Sequence, residues 1–358
     1  MNKLSMRQAC MILISMIFSP AVRLFSAYVS GKGNQSGWLG PVIAGGITIL
    51  FIFLLWKLAN TGRNYADHMQ YSLGKIGSKV LMIIYLLWGT FLIALHLRYY
   101  SERMISTIYS NMTMDIFVIV MAAICIYALS KGLTALGRMG EIILPIILTV
   151  SASLLILLTQ NIKTESLLPI VHTENILHVS FCNLASFGYI TFLLFFIDDI
   201  DVAAHFRKSS IISIAVVTAF SVWMFIAVIG SFGPYLIEKL PYPFLTVVKQ
   251  ISIGEFIQHI EAFIITLWIL SDFMIIAFIG AAMLKIFGAL IGTKETKEFI
   301  VPYFALCAAL VPAIGKNNYE MEHLSENVFI PLNILLLFLL PIVLLVIEQI
   351  KDRIKKKS

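Results

Sequence analysis

The sequence predicts an all-α integral membrane protein with about ten transmembrane helices. Hydrophobic residues make up 59% of the 358 positions and charged residues only 13%, whereas soluble proteins are roughly half apolar and a quarter charged. A helix needs about 20 apolar residues to cross a bilayer, and this chain alternates apolar runs of that length with short polar connections. We therefore expect one polytopic membrane domain over residues 1–358.

Hydropathy places ten predicted spans along the chain. Their approximate ranges are 8–29, 38–59, 77–98, 114–130, 140–159, 180–199, 210–232, 257–288, 299–314 and 327–349. The eighth is long and the ninth is short and bracketed by prolines, so the boundaries of these two are left open. The tail 351–358 is rich in lysine and is expected to contact anionic lipid headgroups.

The basic residues predict that both termini lie in the cytoplasm. An even number of spans puts both termini on one side. With that side cytoplasmic, 18 of the 26 lysines and arginines lie inside, and seven, including Arg98 and Arg103, lie outside. The remaining one, Arg23, falls within the first span. Cytoplasmic loops of membrane proteins carry such an excess of Lys and Arg.

Several classes of function are disfavoured. The formal net charge is +6, but the tail is the only dense basic tract, so no nucleic-acid partner is expected. Cys10, Cys125, Cys182 and Cys307 are far apart and form no CxxC pair, which predicts neither a metal site nor a disulfide. Catalytic motifs such as GxSxG and HExxH are missing from the sequence, so we predict neither an enzyme nor a bound cofactor.

Three connections are longer than simple linkers. Residues 161–179 and 233–254 mix apolar and polar positions at helical spacing, which predicts short helices on the outer membrane surface or over the bundle. Residues 65–75, "YADHMQYSLGK", form a similar amphipathic piece on the inner side.

The first span contains a proline and an arginine in the stretch "FSPAVRLFS". Pro20 donates no hydrogen bond and frees a carbonyl near Met16. At membrane depth such a group needs a neighbour, water or a ligand, so Pro20 marks either a simple kink or part of a site. Arg23 either snorkels to the outer headgroups or faces inward and binds a substrate carboxylate or an internal acid.

The sixth span is interrupted at a position that corresponds to Pro20. Ser186, Gly188 and Tyr189 break the apolar run "NLASFGYITF". Spans one and six open the two halves of a five-plus-five arrangement, about 1–160 and about 180–350. Interrupted segments at matching places in inverted halves point to a binding site at the midplane, although a single small residue also fits close helix packing.

The eighth span carries a deep carboxylate. Asp272 must be neutral, paired or hydrated, because an isolated buried carboxylate is costly. It is therefore either an ion- or proton-coupling group or a structural partner of another polar group. Glu261 lies eleven residues earlier, on nearly the same helix face, and is either a second coupling group or a solvated capping residue. Asp198, Asp199 and Asp201, at the end of span six, are interpreted as a solvated inner boundary.

Four stretches, in order along nearly the whole chain, carry a family resemblance. They are "GNQSGWLGPVIAG", "GRMGEIILPIIL", "FGPYLIEKLPYPFLTVVKQI" and "HIEAFIITLWIL". The last has Glu261 and Trp268 where the family tends to place Glu and Trp. Together these stretches resemble the spore germination permease family, the B subunits of endospore germinant receptors, in the amino acid-polyamine-organocation (APC) superfamily.

The resemblance implies a fold, a site and partners. The fold would be a LeuT/APC-like 5+5 inverted repeat with broken helices 1 and 6, between which a small-molecule nutrient germinant binds. The partners would be receptor subunits A and C in the spore inner membrane. Carried onto this chain, the site consists of Ser19, Pro20, Ala21, Val22, Ser186, Phe187, Gly188 and Tyr189, closed by Thr90, Trp268 and Ser271.

Three functions follow from these observations. The first is a germinant-sensing subunit whose ligand, an amino acid or a nucleoside, shifts the helix bundle between states. The second is a cation- or proton-coupled amino acid transporter that uses the same pocket. The third is a passive scaffold or an ion-conducting subunit.

Overall fold

A computed structural model describes most of the chain. It covers residues 3–23, 33–160, 162–168, 175–201, 205–237, 239–240, 242–249, 261–315 and 317–356. The second half of the predicted first span, from residue 24 onwards, lies outside the described residues.

Within these ranges each of the ten predicted spans contains a helix, named α1 to α10 in chain order. They are α1 Met6–Arg23, α2 Leu39–Ala59, α3 Tyr65–Thr107, α4 Met114–Ser130, α5 Leu133–Thr159, α6, whose α-helical part Ile176–Phe187 continues as the 3₁₀ helix Gly188–Phe196, α7 Phe206–Phe232, α8 Glu261–Ile291, α9 Ile300–Leu310 and α10, whose α-helical segments are Asn318–Leu324, Ile330–Ile334 and Leu340–Lys355. By length and composition, seven of them are able to cross a membrane, and α1, α4 and α9 are shorter apolar helices.

Short elements connect these helices. They are the 3₁₀ turns Asn34–Ser36, Thr164–Leu167, Lys297–Phe299 and Val311–Ala313, and the short helices Pro234–Ile237 and Pro243–Lys249. The last two lie in the connection for which short helices are predicted. In Pro243–Lys249 the side chains of Phe244 and Val248 are buried, so this helix packs onto the bundle.

Helix α3 is longer than predicted at both ends. The Asn64 side chain accepts a hydrogen bond from the backbone N–H of Asp67 and caps its start. The helix bends at Gly74, whose φ of 73° is a conformation that favours glycine. The amphipathic piece 65–75 is thus the first part of α3. At the other end the helix continues to Thr107, which corrects the placement of Arg103 in an outer loop: its side chain is buried within the bundle.

Helix α6 changes its geometry where an interruption is predicted. The α-helix ends at Phe187, and a 3₁₀ helix runs from Gly188 to Phe196. Runs of 3₁₀ helix beyond three or four residues are uncommon and mark hinges or strained segments. In the most apolar stretch of α6, 94% of the residues are buried, against 39% in α5, so α6 is at the centre of the bundle.

Helix α10 contains two π-helical turns, at Ser325–Phe329 and Leu335–Leu339. In a π turn the backbone hydrogen bonds span five residues instead of four. In the turn Leu335–Leu339, two backbone carbonyls accept hydrogen bonds from hydroxyl groups of other helices. The Tyr85 hydroxyl donates to the Leu336 carbonyl, and Thr191 Oγ1 donates to the Leu337 carbonyl at 2.6 Å. The π turns therefore join α10 to α3 and α6.

The two ends of the chain lie at the same end of the bundle. Strand β1 (Leu4–Ser5) pairs in parallel with β2 (Ile200–Asp201) just after the 3₁₀ helix. Near the C-terminus, Glu348 Oε1 lies 2.7 Å from His68 Nδ1 at the start of α3. The start of α3 is joined to the same region, because Asn64 Nδ2 donates to Asp198 Oδ2 at 3.2 Å.

The acidic residues after α6 do more than form a solvated boundary. Lys285 of α8 makes ion pairs with both Asp198 and Asp199. The backbone N–H of Leu4 also donates to the Asp199 carbonyl at 2.8 Å. These contacts close one end of the bundle across α6, α8 and the N-terminal strand.

Candidate functional site

Helices α1, α3 and α8 meet at a buried group of polar side chains. Ser19, Arg103, Trp268, Ser271 and Asp272 form this group, which we call the Arg103–Asp272 cluster. Each of the five is at most 3% exposed. Arg103 Nη2 and Asp272 Oδ2 form an ion pair at its centre, so the predicted need of Asp272 for a partner is met by a cation on α3.

Ser19 lies between the two charges. Its hydroxyl donates to Asp272 Oδ1 at 2.5 Å and accepts from both Nη atoms of Arg103, at 3.3 and 3.2 Å. One hydroxyl therefore links α1 to the ion pair between α3 and α8. Hydrogen bonds to charged groups are stronger than neutral ones, so the position of α1 depends on both charges.

Ser271 is inserted into α1 one turn before Pro20. Its Oγ accepts from the backbone N–H of Ser19 at 2.7 Å and donates to the Ser15 carbonyl at 2.5 Å. Residues 15 and 19 are the pair that an uninterrupted α-helix bonds directly. Insertion of a side chain between them is a recognised cause of a helix kink, and here it accompanies the proline that the sequence places at the same point.

Trp268 covers the guanidinium. The Cζ atom of Arg103 lies 5.1 Å from the centre of the indole ring, a distance typical of a cation–π contact. Trp268 precedes Asp272 by four residues, so both side chains are on one face of α8. The indole also lies near the ring of Tyr242, with ring centroids 6.0 Å apart.

Two N–H donors in the cluster lack an acceptor among the described residues. They are Arg103 Nε and Trp268 Nε1, and both atoms are buried. A buried polar group without a partner costs about 1–3 kcal/mol. A ligand that supplied acceptor oxygens here would remove this cost, so the cluster is suited to a carboxylate, carbonyl or hydroxyl group.

The site residues predicted on α6 lie deep in the bundle, and two of them are engaged by other helices. The hydroxyl of Tyr189 is 3.0 Å from Nε2 of His96 on α3. A Cβ atom on Gly188 would lie 2.8 Å from Phe338 Cε2 and 3.1 Å from Leu337 Cβ, so Gly188 allows α10 to approach closely. Ser186 Oγ is buried and has no hydrogen-bond partner among the described residues.

The other predicted site residues are placed in different ways. Pro20 is buried in α1 beside Ser19. Thr90 Oγ1 donates to the Leu86 carbonyl and lies 3.1 Å from the hydroxyl of Tyr303 on α9. It precedes Arg103 by thirteen residues of one helix, or about 20 Å, so the structure does not bring Thr90 to the cluster. Ala21, Val22 and Arg23 continue α1, and Glu261 begins α8; the side chains of these four lie outside the described residues.

Arg103 is the member of the Arg103–Asp272 cluster that sequence reasoning missed. It follows the polar stretch Arg98 to Glu102, where hydropathy predicts that the span has ended. The sequence did contain a signal for a buried arginine, because Asp272 required a cation and Arg103 follows the apolar run of the third span. Arg23 and Arg98 also lie within or next to apolar runs, so the sequence alone did not show which of the three arginines pairs with Asp272.

The described residues give no sign of a transition-metal site. Within the part of the chain that the structure covers, no group of three or more His, Cys, Asp or Glu side chains comes together as metal ligands. The oxygen atoms of Asp272, Ser19 and Ser271, together with the Ser15 carbonyl, are instead hard ligands of the kind that main-group cations prefer.

Comparison with known proteins finds sequence similarity along most of the chain. The family model described as "Spore germination protein" matches residues 3–319. Spore germination protein KB of Bacillus subtilis is 22% identical over an alignment of 378 residues, gaps included. The alignment covers 99% of this chain and 97% of the relative. Spore germination protein XB of Bacillus anthracis is 21% identical over 340 residues, 90% of this chain and 91% of the relative.

Solved structures of transporters share the fold. MhsT in complex with L-phenylalanine has a TM-score of 0.63 at 13% identity and covers 92% of this chain and 87% of its own. Mhp1, a nucleobase-cation-symport-1 family transporter with bound bromovinylhydantoin, has a TM-score of 0.61 at 11% identity, with coverages of 94% and 78%. The predicted LeuT-type fold of a multi-pass membrane protein is thereby confirmed.

Proposed function

The chain belongs to the spore germination protein family, and on this premise we propose that it is the transporter-like membrane subunit of a spore germinant receptor. In this role it binds a small nutrient molecule, an amino acid or a nucleoside, and the bound state triggers germination. The observation that carries the proposal is the Arg103–Asp272 cluster, a buried polar site at the turn of α1 before Pro20, in a fold shared with transporters.

The ligand site lies between α1 and α6, with the Arg103–Asp272 cluster as one wall. Arg103 Nε and Trp268 Nε1 receive acceptor oxygens of the ligand, and Ser186 Oγ on α6 offers a further polar group. The contacting residues are Ser19, Pro20, Ala21, Val22 and Arg23 of α1, Ser186, Phe187, Gly188 and Tyr189 of α6, and Trp268 and Ser271 of α8.

Sensing follows from the way in which the cluster joins three helices. Ser19 and Ser271 link the turn of α1 before Pro20 to α3 and α8 through hydrogen bonds. A ligand that takes acceptor positions on Arg103 or Trp268 changes the balance of these bonds. It shifts the bundle between two arrangements only to the extent that it binds one of them more tightly.

The assembly and its location follow the family. We place the chain in the spore inner membrane with receptor subunits A and C, and with both termini in the cytoplasm. The relatives named spore germination proteins support the assembly. The shared position of the two chain ends and the excess of basic residues on one side support the orientation, and the lysine-rich tail meets anionic headgroups.

A second candidate function is transport of the same small molecule. The shared fold favours it, because a Na⁺-coupled sialic acid symporter has a TM-score of 0.61 to this chain at 11% identity, with 93% of this chain and 78% of the symporter covered. Saturable, gradient-dependent accumulation of labelled solutes in proteoliposomes containing this chain alone would establish transport.

Deletion of the gene, followed by germination on a panel of single nutrients, tests the sensing role. We expect loss of the response to one nutrient or a small group of them, restored by the wild-type chain but not by Arg103→Ala. An unchanged response to every nutrient would reject the receptor function, and an equal loss for all nutrients would favour a scaffold.

A further inference from the structure

We propose that His68 and Glu348 form a proton-binding site that holds the C-terminal part of α10, Leu340–Lys355, against the start of α3. With its proton the site keeps the two helices together, and loss of the proton releases them. Neither residue belongs to the Arg103–Asp272 cluster. The site lies instead at the end of the bundle where the two chain ends meet.

The ring nitrogen Nε2 of His68 has to carry a hydrogen. It lies 3.2 Å from the Leu58 carbonyl oxygen and 3.1 Å from the Thr61 hydroxyl oxygen. The Thr61 hydroxyl donates its own hydrogen to the same carbonyl, at 2.8 Å. Both oxygens therefore offer only lone pairs to the ring, so Nε2 is the donor.

A second proton lies between the other ring nitrogen and the carboxyl group. Nδ1 of His68 is 2.7 Å from Oε1 of Glu348, a length typical of a charge-assisted hydrogen bond. Without this proton the lone pair of Nδ1 would face a carboxylate oxygen, and two acceptors repel each other at this distance. The contact therefore needs the proton, whether it belongs to the ring or to the carboxyl group.

Burial makes the contact depend strongly on this proton. His68 is 0% and Glu348 is 5% exposed. With the proton the pair carries no net charge, whereas without it a negative charge remains buried beside a neutral ring. The Ser72 hydroxyl, 3.3 Å from the same oxygen of Glu348, is a neutral donor and does not balance that charge. Burial of an unpaired charge is strongly unfavourable, so we expect the two side chains to separate when the proton leaves.

Other titratable groups around the pair are unsuited to the same response. Glu348 faces His68 from α10, while the end of α2 presents a carbonyl and the Thr61 hydroxyl. Tyr65, one turn before His68, is buried and its hydroxyl bonds to that of Tyr85, but tyrosine ionises only in alkaline solution. Histidine changes its charge near neutral pH. The charged side chains nearby are exposed or partly exposed to water; they include Arg63, Asp67, Lys351 and Asp352.

The site controls a segment that joins α10 to the residues after α6. This segment begins at Asn64, which donates to Asp198 Oδ2 at 3.2 Å, and ends at the bend of Gly74. Beside the pair, the Tyr71 hydroxyl donates to Asp352 across the same two helices. Exposed contacts of this kind contribute little, so loss of the proton would leave the segment weakly held to α10.

Spin labels on α3 and α10 test the inference in the purified full-length chain. They are attached at Gln70→Cys and Arg353→Cys, two exposed positions, and the four native cysteines are buried. Dipolar broadening of the electron paramagnetic resonance spectrum reports whether the labels are close together. It is recorded from about pH 5 to about pH 9, which covers the charge change of histidine. The labelled chain should show broadening at acidic pH that is lost as the pH rises, with release of a single proton.

Glu348→Gln tests the role of the proton most directly. The amide has the size of the carboxyl group and carries its own N–H, so it can donate to Nδ1 at any pH. Broadening should therefore persist over the whole range, without a transition. His68→Phe lacks both ring nitrogens, so its labels should be separated at neutral and alkaline pH. Asp352→Asn is the matched control, because it alters only the exposed contact between the same helices and should keep the transition.

Three results would overturn the inference. They are broadening that does not change with pH in the otherwise unaltered chain, a transition that persists in Glu348→Gln, and folded Glu348→Gln whose labels are separated at every pH. Size-exclusion chromatography verifies folding. If Glu348→Gln does not fold, His68→Phe decides, because labels that stay close over the whole range would contradict a bridging proton. No germinant is present in these measurements, so failure of the receptor function is recognised separately by the nutrient panel.

Discussion

Arg103 of α3 and Asp272 of α8 form a buried ion pair to which α1 is joined by the hydroxyl of Ser19. A buried ion pair is weak evidence for stability, because desolvation of two charges offsets much of their attraction. Loss of one of the two residues is nevertheless costly, since the remaining buried charge loses its partner in the ion pair. The pair is therefore suited to hold three helices in one arrangement and to release them when a ligand competes for its hydrogen bonds.

Single and double substitutions of the pair should separate stability from function. Arg103→Ala should lower the free energy of unfolding by about 3–5 kcal/mol, because the buried carboxylate of Asp272 loses its charged partner on α3. Arg103→Ala with Asp272→Ala should recover part of this loss. Thermal unfolding of the purified chain measures both effects, while the germinant response should be lost in each.

Arg63→Ala is the matched control for this prediction. Arg63 also stacks on an aromatic ring, that of Tyr71, but it is exposed, so its removal should change stability by less than about 1 kcal/mol. If Arg103→Ala and the double variant with Asp272→Ala lost the same free energy of unfolding, the loss would not come from the buried carboxylate of Asp272, and the explanation by charge would be wrong.

The Ser271 hydroxyl should be required to hold the turn of α1 before Pro20 against α8. Ser271→Ala removes the acceptor of the Ser19 N–H and the donor to the Ser15 carbonyl. Because these backbone groups are buried, we expect a loss of about 1–3 kcal/mol in the free energy of unfolding and a shifted germinant dose response. Thermal unfolding and germination assays measure the two effects.

Ser153→Ala provides the comparison on α5. The Ser153 hydroxyl donates only within its own helix, to the Thr149 carbonyl at 2.9 Å, and is exposed. Its removal should leave both stability and dose response unchanged. If Ser271→Ala behaved like Ser153→Ala, the inserted hydroxyl would have no role in holding α1.

The ion pairs of Lys285 should respond to salt, unlike the Arg103–Asp272 pair. Lys285, Asp198 and Asp199 have side chains that are 25%, 41% and 40% exposed, so solvent and ions screen their attraction. Lys285→Ala should lower the free energy of unfolding by about 1 kcal/mol or less, and the difference from wild type should vanish at high salt. A loss that persists at high salt would show that the contact acts through packing instead.

The sequence predicts much of the fold and part of the site, for identifiable reasons. The apolar runs predict the helices because a segment that crosses lipid must be apolar. Pro20 and Asp272 are conspicuous because each is costly in a membrane helix, and Gly188 because it interrupts the apolar run of the sixth span. The burial of Arg103 was not predicted, because an arginine near the end of a span can lie in a loop or inside the bundle. The sequence does not distinguish these positions until the residue that pairs with the arginine is known. Its pairing with Asp272 joins positions 169 residues apart, and no local pattern encodes such a contact.

Gly188 illustrates how the structure changes the reason behind a prediction. From the sequence, bulky substitution at Gly188 or Ala21 should abolish the germinant response because these residues line the pocket. In the structure a side chain on Gly188 would collide with α10, at 2.8 Å from Phe338 Cε2. Gly188→Leu should therefore act by separating α6 from α10, whereas Ala21→Leu tests the pocket itself.

A compensating substitution distinguishes the two explanations for Gly188. Gly188→Ala adds one methyl group against the ring of Phe338, and Phe338→Leu shortens the opposing side chain. If contact with α10 limits position 188, Gly188→Ala should lower both the thermal stability and the germinant response, and the double variant should recover a large part of each, because overpacking of a core typically costs about 1–3 kcal/mol. If the double variant regained stability but not the response, Gly188 would contact the ligand directly, and the packing explanation of its functional effect would be wrong.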